Sequence, residues 1–396
     1  MTPVARPPIT DRQRRNRLQR RHHLAGDRAA SVAEVAAGLV GLHATTASTV
    51  YLSAWARCPG FAPAHLDDAL YSRRTLVKQL AMRRTMFVLP VDVLRDAVGA
   101  IGPRVAVSER TNMLRDLRRN DFDDGPDWID AACAAVRAEL ADGRGLTSAE
   151  LRERLPVIDR RVVVSPGKSY CGQMSMAPRV LNLMSAAGEI VRGHNRGGWH
   201  QSRPEWSAMD RWLGGPLDPP DVAAGHVGLI RRWLAAFGPG TETDLVWWLG
   251  STKTAVRAAL AELDVAEVAL DDGNIGYVLV DDLPGTDDAD LEPVAALLPE
   301  LDPTTMGHKI RDFYLGRHAP QLFDRNGNGG QTAWWDGRIV GGWHRKPGSP
   351  VQVHLLETVS AEGRRALARR ADELTDWLGD VPTGAGYAAP YQKELG

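Results

Sequence analysis

The chain has 396 residues, 43% hydrophobic and 24% charged, a composition that supports packed cores and a length that suits three or four small domains. No run of about 18 apolar residues occurs, which argues against a membrane span, and the arginine-bearing start lacks the apolar stretch of a signal peptide. The three cysteines, Cys58, Cys133 and Cys171, are too scattered for a disulfide framework or a zinc site, so a cytoplasmic, reduced protein is expected.

The net charge of −1 conceals a polarity. Residues 1–120 hold 20 Lys/Arg and 9 Asp/Glu, a net of +11, so the remainder carries −12. No Lys or Arg lies between Arg257 and Lys309, an interval that includes Asp264, Glu267, Asp271, Asp272, Asp281, Asp282, Asp287, Asp288, Asp290 and Glu292. One basic face that neutralises phosphates and one acidic face that repels them would follow; ordinary solvated helix faces are the plainer alternative.

In chain order, Thr10 caps a basic helix to about Leu24, and helices Ser31–Val40 and Thr46–Arg57 follow. A strand pair, Thr75–Ala81 and Thr85–Leu89, hinges at Met82-Arg83-Arg84. A helix over Trp128–Ala141 ends at Gly143–Gly145, and Thr147-Ser148-Ala149-Glu150 reads as a capping box opening a helix to Leu155. After an irregular stretch, 156–171, Ser175–Ala186 is the next helix, and Glu189–Arg192 with Trp199–Gln201 would flank a wing over 194–198. The clearest unit is 224–280: helix His226–Phe237, a capping box at Thr241–Asp244, helix Leu245–Leu249 stopped by Gly250, a third helix from Ser251, and strands Val265–Leu270 and Ile275–Val280 around Asp271-Asp272-Gly273-Asn274. Helix, helix, helix, hairpin is the order of a winged helix-turn-helix. Beyond it, Asp336-Gly337 signals a hairpin, and Ala361–Leu378 a final helix before a Gly/Pro/Ala-rich tail. The expectation is an α+β protein of three tandem winged helix-turn-helix units, divided 1–120, 121–210 and 211–284, with a hairpin and helix region over 285–396.

Residues 41–57 are the most informative. His43 and Thr45 sit two apart between helices, where an extended link would put both side chains on one face. This stretch resembles the AlkZ/YcaQ-like winged-helix DNA glycosylases, whose members carry a Gln-x-Gln or Gln-x-Asp pair before a Leu-x-x-Trp-x-Arg helix. The pair here is His43-Ala44-Thr45, followed by Leu52, Trp55 and Arg57. Three further stretches carry the resemblance: Met82–Pro90, Leu297–Asp302 and Asp336–Gly341. The resemblance implies three tandem winged helices around a concave, positively charged DNA-binding surface, with a β-hairpin inside the duplex-binding cleft. Both the Trp334–Val340 hairpin, with Trp334, Trp335 and Arg338, and the Met82–Thr85 turn are candidates for that part.

It also implies hydrolysis of the N-glycosidic bond of an alkylated purine of the N7-guanine or N3-adenine type, bulky adducts included, with no metal or organic cofactor. Alkylation already makes the base a good leaving group, so the enzyme must place water and stabilise positive charge on the sugar. Neutral His43 offers an acceptor and can take a proton from water; Thr45 can orient the same water. A protonated His43 would repel the sugar cation, so activity is expected to fall at acidic pH. No lysine stands near His43 for a Schiff base, so a monofunctional enzyme is expected. A helix-end cap for His43 and an N-cap for Thr45 or Thr46 are the structural alternatives.

For DNA contact the candidates are Arg12, Arg14, Arg15, Arg17, Arg20 and Arg21 in the first helix, Arg73, Arg74, Lys78, Arg83 and Arg84 around the first hairpin, and Lys253. Damaged double-stranded DNA is the expected partner of a nucleoid-associated monomer. The rivals are a non-catalytic winged-helix regulator or lesion-shielding protein, and a module that binds protein. The Asp324–Gly329 run begins like a calcium loop, but Trp335 stands where the loop requires Glu.

Overall fold

The computed structural model describes residues 6–164, 172–283, 290–382 and 386–394; Cys171, Asp287 and Asp288 lie outside them. Helix α1 (Asp11–Arg21) opens with a capping box: the Thr10 hydroxyl accepts from Gln13 N–H, and the Gln13 side chain accepts from Thr10 N–H at 2.8 Å. After α2 (Val32–Gly38) comes a two-residue strand, β1 (Leu42–His43), and then α3 (Ala47–Trp55). Val32, Val35, Leu39, Leu42, Val50 and Tyr51 close one apolar cluster with Leu76 and Val88.

β1 is the edge of a six-stranded sheet with β2 (Leu76–Leu80), β3 (Met86–Pro90), β4 (Leu146–Thr147), β5 (Ile190–Asn195) and β6 (Pro204–Ala208). The strand order is β1-β3-β2-β5-β6-β4, every neighbour antiparallel. The sequence reading expects two separate hairpins here. They are instead fused, because β2 pairs with β5 at Lys78↔Arg192. The second strand of the later hairpin is also displaced, from Trp199–Gln201 to Pro204–Ala208, since Asn195 bonds across the 196–203 loop to Gly197, Gly198, Gln201 and Arg203. Within the stretch read as irregular, Arg161–Val164 pairs with Gly172–Ser175. Residues between the hairpins add two helices, Val91–Ala100 and Gly102–Arg118.

Helices α4 (Val222–Phe237), α5 (Glu242–Leu249) and α6 (Lys253–Ala261) follow with the hairpin Val265–Leu270/Ile275–Leu279. Thr241 and Asp244 form the capping box of α5, and Gly250 ends it in the left-handed region, φ +64°. The chain start joins this unit: Pro8–Ile9 adds a parallel strand, Pro8 opposite Ala269. Helix α4 lies close against Val91–Ala100 because Gly225 has no side chain; a Cβ there would sit 2.8 Å from Ala100 N. The last region is a four-stranded antiparallel sheet, Ala295–Leu298, Thr332–Trp335, Arg338–His344 and Gln352–Leu355. Asp336 and Gly337 both take positive φ at its turn, as a two-residue hairpin demands. Helix α7 (Ala361–Leu378) covers it with Leu367, Ala371, Leu374 and Leu378.

A buried polar network ties these parts together. Arg57, just past α3, donates from both Nη atoms to Asp302, at 2.9 and 2.7 Å, and neither side chain meets solvent. Asp302 also accepts from Ser53 Oγ (2.7 Å) and Thr304 N–H (2.9 Å). Arg57 donates further to the His22 and Ser53 carbonyls and to Thr304 Oγ1. His22 Nε2 donates to the Ala236 carbonyl at 3.1 Å, which leaves Nδ1 to accept from Thr304 Oγ1 at 2.9 Å. α1, α3, α4 and the Pro299–Thr304 turn therefore meet at one ion pair. Removing one partner strands a buried charge. Arg57→Met is expected to cost about 3–5 kcal/mol, and the double variant Arg57→Met/Asp302→Leu much less than the sum of the two single losses, read from urea unfolding. Additive losses would refute the coupling.

Candidate active site

His43 ends the edge strand β1, opposite Phe87 on β3. Its ring stands edge-on to Phe87 with centroids 5.1 Å apart, and Phe87 in turn meets Trp248 of α5. His43 is 8% exposed, and its Nδ1 is buried without a hydrogen-bond partner. Burial, then the nearby Arg83 guanidinium, push its pKa down to about 3 against the pull of Asp302. The imidazole is therefore neutral across ordinary pH. Thr45 is exposed on the link to α3. Thr46, not Thr45, is the N-cap residue, and its side chain makes no capping bond.

Three elements close around this point. The turn Met82–Arg84 carries Arg83 and Arg84 in the left-handed region, at φ +55° and +58°. Gly250 at the end of α5 packs on that turn: a Cβ at Gly250 would lie 3.1 Å from Arg83 Cα. Arg83 lays its guanidinium over Trp247 at 4.1 Å, and Arg311 approaches the same ring at 5.0 Å. Beside the Thr46 link lies Glu300, 3% exposed, whose carboxylate accepts from Gly386 N–H (3.0 Å) and Tyr387 N–H (2.7 Å). A Cβ at Gly386 would meet both Thr46 Oγ1 (3.1 Å) and Glu300 Oε1 (3.2 Å), so hydroxyl and carboxylate border one small space. Glu300 and Arg311 are not singled out for chemistry by the sequence, where Glu300 stands within the Leu297–Asp302 motif and Arg311 in a basic-aromatic segment with Lys309, Phe313 and Tyr314; the Trp247-Trp248 pair reads there as a base-stacking wedge or, more plainly, as core.

Most of the first helix's arginines are placed differently from expectation. Arg14 and Arg17 are 2% and 1% exposed, too buried to reach a phosphate. Arg14 lies over Phe313, 3.6 Å from the ring centroid, with Asp11 at 3.5 Å. Arg17 donates to the Asp282 carbonyl at 3.1 Å and its carboxylate at 3.3 Å. Arg21 pairs with the same carboxylate and donates to the Gly238 carbonyl. Arg15 donates to the Phe313 carbonyl (2.8 Å), and Arg12 to Asp290 (2.8 Å); Arg20 is half-buried. Asp11 N–H donates to Asp271. The basic start thus cancels part of the acidic interval, through Arg17 and Arg21 in the interior and Arg12 at the surface, and the two-faced surface expected from the sequence is overturned there.

Around the first hairpin, Arg73 pairs with Asp68, Arg84 with Glu109 at 3.1 Å, and Arg74 stacks on Trp212 and donates to its carbonyl. Lys78 is half-buried on β2. Lys253 is exposed, 3.8 Å from Glu242. Of the two hairpin candidates, the Met82–Thr85 turn is the one beside His43. The Trp334–Val340 hairpin is docked on α1: a Cβ at Gly337 would clash with Gln19 Nε2 at 2.7 Å. Trp334 is buried against Tyr314 and donates to Thr332 Oγ1, Trp335 is half-buried, and Arg338 pairs with Glu357 at 3.3 Å. The calcium-like run closes on itself, Asp324 accepting from Asn326 and Asn328 N–H. No helix among the described residues is long and apolar enough to cross a membrane.

The family model for DNA glycosylase AlkZ-like proteins matches residues 36–377. The chain belongs to the AlkZ-like DNA glycosylase family. Among solved structures, Streptomyces sahachiroi DNA glycosylase AlkZ is similar, with a TM-score of 0.71 and 20% identity over 92% of this chain and 97% of that one, a likeness of fold. No curated protein matches. In this AlkZ-like chain the matched span includes His43, Thr45, Arg83, Trp247 and Glu300, but not α1.

Three buried histidines set the acid response. His22 is held well below its usual pKa by burial and then Arg57; His308 falls to about 4 through burial, against the pull of Asp244; His43 falls to about 3. Each stays neutral in the fold and gains a proton on unfolding below about pH 6.5. The unfolded chain then binds more protons, so stability falls as pH drops from about 7 toward 4. The expected slope is up to about 1.4 kcal/mol per pH unit per histidine, read from urea midpoints at pH 7.5, 6.5 and 5.5. A stability that is level over that range contradicts three neutral histidines.

Proposed function

We propose that this AlkZ-like chain is a monofunctional DNA glycosylase that hydrolyses the N-glycosidic bond of N7- or N3-alkylated purines in duplex DNA. The observation that carries the reading is the neutral His43 with an unpartnered Nδ1, set at a strand end beside exposed Thr45 where the family places its catalytic pair. The alkylated base leaves with its bonding electrons, which discharge its positive charge, and the sugar is left as an oxocarbenium ion. Water adds to the anomeric carbon and then loses a proton to solvent. A histidine with so low a pKa is a weak base, so its part is to accept a hydrogen bond and aim the water rather than to take its proton. Thr45 Oγ1 supplies a second contact to that water. The Glu300 carboxylate contributes negative charge near the developing cation. Arg83, fixed on Trp247, suits a flanking phosphodiester.

The test is excision from duplex carrying a single N7-methylguanine, scored as abasic sites. His43→Ala is expected to lose about 100-fold in single-turnover rate. His43→Gln, which restores an uncharged acceptor, is expected to stay within about tenfold of the parent. Duplex binding without excision by the parent, on this and on a bulky N7 adduct, would overturn the catalytic reading in favour of a lesion-shielding protein. The pH profile gives a second check, and it reverses the expectation drawn from an ordinary histidine. With His43 neutral down to about pH 3, the rate should be level from about pH 8 to 5.5. A fall centred near 6.5, the ordinary histidine value, would show that the imidazole titrates and would contradict the water-aiming role.

A further inference from the structure

The seam of the six-stranded sheet holds a second feature, on the sheet face opposite His43. Register follows Leu42↔Val88↔Lys78↔Arg192↔Trp206 across five strands, while His43, Phe87 and Gln79 share the alternate row. Lys78 and Arg192 are therefore direct cross-strand partners, with Cβ atoms about 5 Å apart. Like charges so placed destabilise a sheet. Here they are also half-buried. No hydrogen bond or ion pair joins either side chain to a carboxylate among the described residues, and Arg192 Nε is buried with no partner. Arg192 lies over Trp206 at 5.2 Å, which fixes its plane.

Carboxylates on the surrounding elements are engaged elsewhere. Asp67 accepts from Tyr51, Glu189 from Arg137, and Glu205 from Arg196. On this face the helices of the first region cover β1 and β3, and those of the second cover β6 and β4. The two cations lie between those covers, and burial with the facing Arg192 pushes Lys78 down to about 8.

We propose that Lys78 and Arg192 form a binding site for a phosphate oxyanion, held between the two side chains at the junction of the hairpins. One planar guanidinium and one ammonium supply donors in the arrangement that a tetrahedral oxyanion accepts. The anion is either free phosphate or a phosphodiester of bound DNA, and the chemistry is common to both.

The site is tested with the full chain in two arms. In the first, melting is followed in inorganic phosphate against chloride at matched ionic strength. The parent should melt about 2 °C higher in phosphate at ten times the dissociation constant, Lys78→Arg should keep the shift, and Lys78→Met should lose it. In chloride Lys78→Met should melt no lower than the parent, because it removes a like-charge contact; that separates loss of the site from loss of the fold. In the second arm, binding to undamaged duplex is measured against salt concentration. A slope smaller by about one in Lys78→Met assigns the anion to a DNA phosphate; an unchanged slope with the phosphate shift intact in the parent assigns it to free phosphate. A parent that melts alike in both salts, with the same duplex slope as Lys78→Met, overturns the site. Loss of excision in the His43 variants bears on the glycosylase reading alone and leaves this result unaffected.

Discussion

The rest of the molecule depends on the Arg57–Asp302 ion pair. A fully dry pair is not intrinsically stabilising, since desolvation costs about as much as the attraction returns. Its value here lies in what surrounds it. Every lone pair and proton that the pair presents finds a partner from Ser53, Thr304, His22 or the backbone. That completeness fixes the relative placement of α3 and the Pro299–Thr304 turn. α3 follows directly from His43 and Thr45, and the turn carries Glu300. The geometry of the candidate site is thus set by two side chains that do not belong to it.

The same contact joins two of the stretches that carry the family resemblance, Leu52–Arg57 and Leu297–Asp302. Arg57 and Asp302 are the two ends of one contact, 245 residues apart. Glu300, two residues before Asp302, is aimed at Thr46 and the 386–387 backbone by the turn that Leu301, at φ +57°, makes between them. A structural residue and a site residue therefore share one short motif, and sequence resemblance registers both without telling them apart.

Local signals were legible where the chemistry is local. The cap at Thr10, the capping boxes at Thr147 and Thr241 and the Asp336-Gly337 turn each need only a few neighbouring residues, and each stands where the sequence places it. What could not be read is what arrives from far away. Nothing near Lys78 announces Arg192, so the fused sheet was invisible. The strand at Pro204–Ala208 was misplaced because Asn195 organises the intervening loop through contacts up to eight residues on. The arginines of α1 form a convincing basic stripe until Asp282, Asp290 and the Phe313 ring come in from the other end of the chain. At the site, residue identity pointed to His43 and Thr45, but the environment that decides what His43 can do is supplied by Arg83, Phe87 and burial.

The parallel strand Pro8–Ile9 against Val265–Leu270 has a consequence for synthesis. Pro8 and Ile9 take as their partner a strand translated some 260 residues later. At about 5–20 residues per second, the wait is on the order of 10–50 s. Throughout it, the arginines of α1 lack the acidic residues that will bury them. Residues 1–260 hold 36 Lys/Arg against 26 Asp/Glu, a net of +10, so the growing chain stays cationic beside ribosomal RNA until the acidic interval from Glu262 to Asp302 has been made.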